Sequence, residues 1–128
     1  MSDRTAVLTA QYVALTTYRR DGTPVTTPVW AAAEGESLYL FSNAAAGKVK
    51  RLRNSSRAAI APCTAIGKVT GEQLPAEAFN LASDQMPKVW RLLTKKYGMA
   101  VRLFMAYDRA RALLRMQPSA GIEVRLTP

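Results

Sequence analysis

Histidine is absent from this 128-residue chain. Its absence removes the commonest general base, the commonest transition-metal ligand and any Ser-His-Asp triad. Cysteine occurs once, as Cys63, which excludes a disulfide framework and a cysteine-based metal site within one chain. No apolar run approaches the roughly 20 residues of a membrane span. The first residues include Asp3 and Arg4 and lack the apolar centre of a signal peptide, so a cytoplasmic location is expected. Acids are scarce: nine Asp and Glu stand against eighteen Lys and Arg. Most of the nine fall at expected turns or element ends, where a solvated role is the default. An enzyme built from such a chain takes its chemistry from a cofactor, with the protein binding and orienting it.

What is present is apolar residues at 48% and a net charge of +9, the balance of one globular domain spanning residues 1–128. The positive charge is clustered. Residues 43–68 carry six cations and no acid, and residues 86–115 carry eight cations and one acid, Asp108. Such a field attracts a nucleic acid, an anionic membrane surface, or a phosphorylated or polycarboxylate small molecule. Each single Lys or Arg is also explained by solubility alone.

Residues 11–18, rich in Val, Thr and Tyr, read as a strand. Asp21-Gly22 marks a hairpin turn, and residues 24–33 read as the return strand, interrupted by Pro28. Residues 37–42 form a third strand after the turn at Gly35. It sets Leu38, Leu40 and Ser42 on one face and Tyr39 and Phe41 on the other. The three are expected to make an antiparallel meander. A helix follows over residues 45–54, burying Val49 and Leu52. Residues 57–64 and, more weakly, 75–81 read as strands. Asp84 is the expected N-cap of a helix ending at Tyr97-Gly98, with a short helix over 99–106 after it. Residues 111–117 and 122–126 read as a closing pair of strands. The pattern is mainly β with helical inserts: a small barrel of about six to seven antiparallel strands.

The segment from Ser42 to Arg53 draws the eye to chemistry. A strand leads into a helix start whose free amides and positive dipole end favour a phosphate. Lys48 and Arg51 lie one turn apart on one face, so both can reach one phosphate, Arg as a fork and Lys as a point charge. Lys50 and Arg53 lie on a neighbouring face and can serve a second anionic group. Read alone, the run fits a solvated basic helix equally well. In Thr26-Thr27-Pro28-Val29-Trp30 the proline marks an edge or bulge, leaving backbone groups free to meet the polar edge of a ring. Trp30 can wall that pocket, although a lone Trp is more often plain core.

The ordered set Arg20-Asp21-Gly22-Thr23-Pro24, Thr27-Pro28-Val29-Trp30, Leu38-Tyr39-Leu40-Phe41-Ser42, Gly47-Lys48-Val49-Lys50-Arg51-Leu52-Arg53 and Arg57 resembles the pyridoxamine 5′-phosphate oxidase-like proteins. It is most similar to their branch of coenzyme F420-dependent oxidoreductases. The resemblance covers residues 13–65 strongly and the Lys96-Tyr97-Gly98 helix end and closing strands more loosely. It implies a split β-barrel (the FMN-binding split barrel) and a homodimer with flavin or deazaflavin sites at its interface. Carried over, Thr27, Pro28, Val29 and Trp30 border the tricyclic ring. Phe41, Ser42 and Asn43 line the chain leading to the phosphate. Lys48 and Arg51 bind the phosphate, and Lys50, Arg53 and Arg57 are further contacts for the phosphate or tail. The resemblance implies hydride transfer between F420 and a small unsaturated organic substrate, with FMN as the alternative cofactor. F420 adds an oligoglutamate tail to its phosphate, which suits so cationic a chain. No metal is implied. A signature for a pyridoxal phosphate substrate is missing. A basic nucleic-acid-binding module is the competing class, disfavoured because the aromatic residues, 8% of the chain, do not interleave with the basic run.

Overall fold

The computed structural model describes residues 3–43, 46–113 and 119–127. Strands β1 (Tyr12–Tyr18) and β2 (Pro24–Val29) form the expected hairpin, in a register from Tyr18 opposite Pro24 to Val13 opposite Val29. Its turn is built by Gly22, at φ 90°, and by Asp21, whose carboxylate accepts a hydrogen bond from the Thr23 amide at 3.0 Å. That bond holds the Asp21 carboxyl below its ordinary pKa. β2 lies at the edge of the sheet, as two prolines without amide hydrogens require.

The meander is not formed. The chain leaves the sheet at Trp30–Ala31, and the expected return strand over 24–33 is two strands: β2 and the short β3 (Ala32–Glu34). β3 pairs with β4 (Ser37–Asn43), and β4 pairs on its other side with the last strand, β7 (Ser119–Leu126). With β5 (Arg57–Cys63) and β6 (Leu74–Asn80), the order is β2-β1-β5-β6-β7-β4-β3, and every adjacent pair is antiparallel. β2 and β3 are thus opposite edges of one seven-stranded sheet, yet only two residues join them. A flat sheet of that width would separate its edges by about 29 Å. The connection spans at most about 11 Å. The sheet must therefore curl until its edges meet, and the result is a split barrel.

The alternation along β4 sorts its residues as expected. Leu38 and Leu40 face the barrel core with Val13, Leu15, Ile60, Ile122 and Val124. Tyr39 and Phe41 face outward into a second core. Helix α1 (Asp3–Thr9), which the sequence reading did not anticipate, buries Val7 against the barrel core. Helix α2 (Gly47–Asn54) adds Val49 and Leu52 to the same core, as their spacing predicts. Helix α3 (Met86–Tyr97) covers the outer face of β3 and β4, and α4 (Met99–Leu113) packs on α3 and touches β4 through Phe104 on Phe41, with Val89, Leu93 and Val101 fully buried.

Two further expectations fail near α3 and α4. Asp84 does not cap α3. It sits inside a 3₁₀ turn over Ser83–Gln85, and Gln85 occupies the cap position without a side-chain bond. The expected strand over 111–117 is helical as far as Leu113, and residues 114–118 lie outside the described ones. From Arg102 to Leu113 no residue is β-branched and Ala and Arg dominate, so helix propensity carries α4 onward. The closing pair is then one long strand, β7.

At Gly121 of β7 helix α3 approaches the sheet closely. A Cβ there would meet Met86 Sδ at 2.9 Å and Val89 Cγ2 at 3.2 Å. Gly121→Ala is expected to destabilise the fold by about 1–2 kcal/mol, read as a drop of several degrees in Tm by calorimetry.

Candidate functional site

An open cleft of about 340 Å3 lies beside the seam between β2 and β3. Its walls are Tyr12, Pro28, Val29, Trp30, Phe41, Ala65 and Phe104, none of them charged. Strand alternation sends Phe41 out of the barrel toward this cleft, and the break in the sheet after Val29 frees Trp30 to turn into it. Trp30 meets Phe41 edge-on, with ring centroids 6.4 Å apart and planes at 79°. Phe104 of α4 lies 4.6 Å from Phe41, and Trp90 of α3 lies 4.9 Å from it. The cleft offers flat apolar surfaces suited to a planar ring.

Behind Trp30 stands Tyr97, its ring stacked on the indole at 5.1 Å and 14°. The Tyr97 hydroxyl accepts a hydrogen bond from the Ala31 amide at 3.1 Å. It lies 2.6 Å from the Gln11 carbonyl oxygen and 2.9 Å from that of Ala31, and its single proton serves one of them at a time. Burial pushes the Tyr97 phenol up to about 12. Lys96 donates to the carbonyls of Ala10 at 2.6 Å and Ala31 at 2.7 Å, and burial lowers its ammonium pKa.

The second feature is the first turn of α2. Ala46 occupies the cap position and makes no side-chain bond, so the leading amides lack a capping partner. Arg51 folds back over this turn: a Cβ on Gly47 would stand 2.6 Å from its Nη1. Glycine at 47 leaves room for that guanidinium. Arg51 Nε donates to the Thr17 hydroxyl at 2.6 Å. Desolvation, then the charge of Arg51, lowers the Lys48 ammonium pKa; desolvation, then the charge of Arg19, lowers that of Arg51. Among the described residues no carboxylate forms an ion pair with Lys48, Arg51 or Arg19. Arg19 has the Asp21 carboxylate within electrostatic reach, whereas Lys48 and Arg51 crowd one turn with no ion-paired carboxylate among the described residues, an arrangement that an anion relieves.

The structure gathers the sequence-nominated residues into two groups and leaves others apart. Pro28, Val29, Trp30 and Phe41 share the cleft. Lys48 and Arg51 share the α2 turn, and β4, which supplies Phe41 and the buried Ser42, ends at Asn43 just before it. The side chain of Asn43 lies outside the described ones. Thr27 sits half-buried on β2 opposite Leu15. Lys50 and Arg53 are exposed. Arg57 lies over the Tyr18 ring at 3.9 Å, beside a different hollow lined by Gln73 and Pro75. The sequence alone does not single out Tyr12, Phe104, Arg19, Thr17 or Lys96, and it marks Tyr97 only as the end of a helix. Only tertiary contacts bring them here, although the Lys96-Tyr97-Gly98 helix end was part of the resemblance. Cys63 is buried and its thiol pKa is raised by desolvation, so it packs as a small hydrophobe. Among the described residues no group of three His, Cys, Asp or Glu is placed to hold a metal, and no helix is long and apolar enough to cross a membrane.

A family model described as pyridoxamine 5′-phosphate oxidase matches residues 3–125. No curated protein matches the sequence. Among solved structures, an F420 reductase superposes with a TM-score of 0.62 at 19% identity, over 100% of this chain and 95% of its own. An FAD-binding protein of Mesorhizobium loti gives 0.62 at 18% identity, over 97% and 85%. The heme storage protein of Vibrio cholerae gives 0.68 at 11% identity, over 98% and 87%. At these identities the likeness is one of fold.

Two outcomes follow from the charges. Lys48→Gln removes a desolvated cation, so it is expected to raise Tm in phosphate-free buffer; added pyrophosphate is expected to raise the Tm of the parent protein and that of the variant far less. The folded state holds the Tyr97 phenol neutral, with its pKa raised from 10.0 to about 12. Its contribution to stability is therefore fully present below pH 10 and is lost as pH rises toward 12. Urea unfolding between those limits should show this loss, and Tyr97→Phe should flatten that part of the profile.

Proposed function

Because this chain belongs to the pyridoxamine 5′-phosphate oxidase family, we propose that it is an oxidoreductase using coenzyme F420, with FMN as the second reading. The observation that carries the proposal is the pair Lys48 and Arg51, half-buried at the start of α2 with no ion-paired carboxylate among the described residues, reached by the strand whose Phe41 walls an aromatic cleft. The donor set fits a phosphate: amides, an ammonium and a guanidinium. The cleft fits a planar ring, and its uncharged lining fits an uncharged one. Pro28 and Val29 present the backbone of an edge strand beside it. In this reading Thr27, Pro28, Val29 and Trp30 border the ring, Phe41, Ser42 and Asn43 line the way to the phosphate, and Lys48 and Arg51 grip it.

The bound deazaflavin would supply or accept a hydride, and the chain's own residues would bind, orient and exclude water. Net charge of +9 favours F420, whose tail adds carboxylates to the phosphate. Exposed Lys50 and Arg53 would serve such a tail, with Arg57 a further candidate. A heme reading is weakened by the lack of histidine, its commonest axial ligand. A second copy of the chain would cover the exposed apolar residues Ile66, Met99 and Leu103, which supports a homodimer. The substrate is a small unsaturated organic molecule.

Fluorescence titration with F420 and with FMN tests the proposal. Micromolar or tighter F420 binding with weak FMN binding is expected, and the opposite order selects the flavin. Failure of both ligands to bind removes the proposal. Lys48→Ala should weaken the preferred cofactor by tenfold or more, about 1.4 kcal/mol.

A further inference from the structure

Trp30 and Ala31 sit where the two edges of the sheet face each other, and no strand pairs with them there. Ala31 is 1% exposed, so water cannot satisfy its amide and carbonyl. Both partners come from the last turn of α3. The Tyr97 hydroxyl takes the Ala31 amide hydrogen at 3.1 Å, and Lys96 Nζ donates to the Ala31 carbonyl at 2.7 Å. The same two side chains reach Ala10 and Gln11, just before β1. The seam is therefore held against the start of β1 as well. Neither Lys96 nor Tyr97 lines the aromatic cleft, but the Tyr97 ring lies flat against the Trp30 indole, which does.

We infer that Lys96 and Tyr97 are positioning residues for the cleft: they grip Ala31 at the seam and back the indole, and so fix Trp30 in the orientation in which it forms the wall. The functional consequence rests on the reading of the cleft as the site of the cofactor ring. The clamp itself does not.

The chain has two tryptophans, so a Trp90→Phe background leaves Trp30 as the sole tryptophan, read by selective excitation at the red edge where tyrosine does not absorb. In that background Tyr97→Leu removes both the stack and the hydroxyl, Tyr97→Phe removes the hydroxyl alone, and Lys96→Met removes the ammonium. Acrylamide quenching of Trp30 fluorescence is expected to rise in all three, most in Tyr97→Leu, with circular dichroism unchanged. Where Tyr97→Leu does not fold, Tyr97→Phe and Lys96→Met carry the measurement. Unchanged quenching in the folded variants overturns the clamp.

Affinity for F420 or FMN, whichever binds the parent protein, then separates positioning from a merely structural role. Tyr97→Phe should weaken binding by about fivefold, the scale of one coupled contact. Combined with Trp30→Leu, the two losses should fall well short of their product. Combined with Lys48→Gln, on α2 and outside the lining of the cleft, they should multiply. Full multiplication with Trp30→Leu overturns the proposal. If neither cofactor binds the parent protein, the cofactor reading fails, and the quenching series still decides the clamp.

Discussion

Two residues between Val29 and Ala32 must bridge what a flat sheet would hold about 29 Å apart. That constraint bends the whole sheet. Once the edges meet, they do not pair, because β2 carries prolines at 24 and 28 and β3 is only three residues long. The closure is left to side chains, and α3 supplies them. Its buried stripe, Val89 and Leu93, packs on the outward face of the sheet, and its last turn delivers Lys96 and Tyr97 to the open backbone at Ala31. The helical insert is therefore part of the barrel's closure.

The unpaired seam also explains where the aromatic cleft lies. A closed barrel would cover β2 with a neighbouring strand. Here β2 stays an edge, and Pro28, Val29 and Trp30 remain accessible beside Phe41 and Phe104. The cationic turn of α2 has a different origin. Val49 and Leu52 anchor the helix to the barrel core, and this fixes its first turn beside Thr17 and Arg19. Apolar surface and positive charge are thus kept on separate supports. Charges within the cleft would be desolvated at a cost of several kcal/mol each. Lys48 and Arg51, half-buried at the helix start, are only partly desolvated, enough to lower their pKa values.

Some of this was legible without a structure. Asp21-Gly22 announced its hairpin because φ near 90° is a backbone property that glycine meets without strain. The alternation of β4 sorted Leu38 and Leu40 from Tyr39 and Phe41 because a strand has period two. Val49 and Leu52 fell on the buried face of α2 for the corresponding helical reason. Residues 111–113 are helical although they read as strand, because short apolar runs look alike in strand and helix and only the propensity summed over α4 separates them.

By itself, then, the sequence determined the elements with strong local periods, the edge character of a proline-bearing strand, and a basic helix start free of acids. These are properties of neighbours along the chain. Tertiary structure decided the strand order, the seam at Trp30–Ala31, the gathering of Arg19 and Thr17 around Arg51, and the use of Tyr97 at a helix end as a backbone clamp. Each of those joins residues far apart in sequence, and which of them meet depends on how far the sheet must curl to let two residues span its edges.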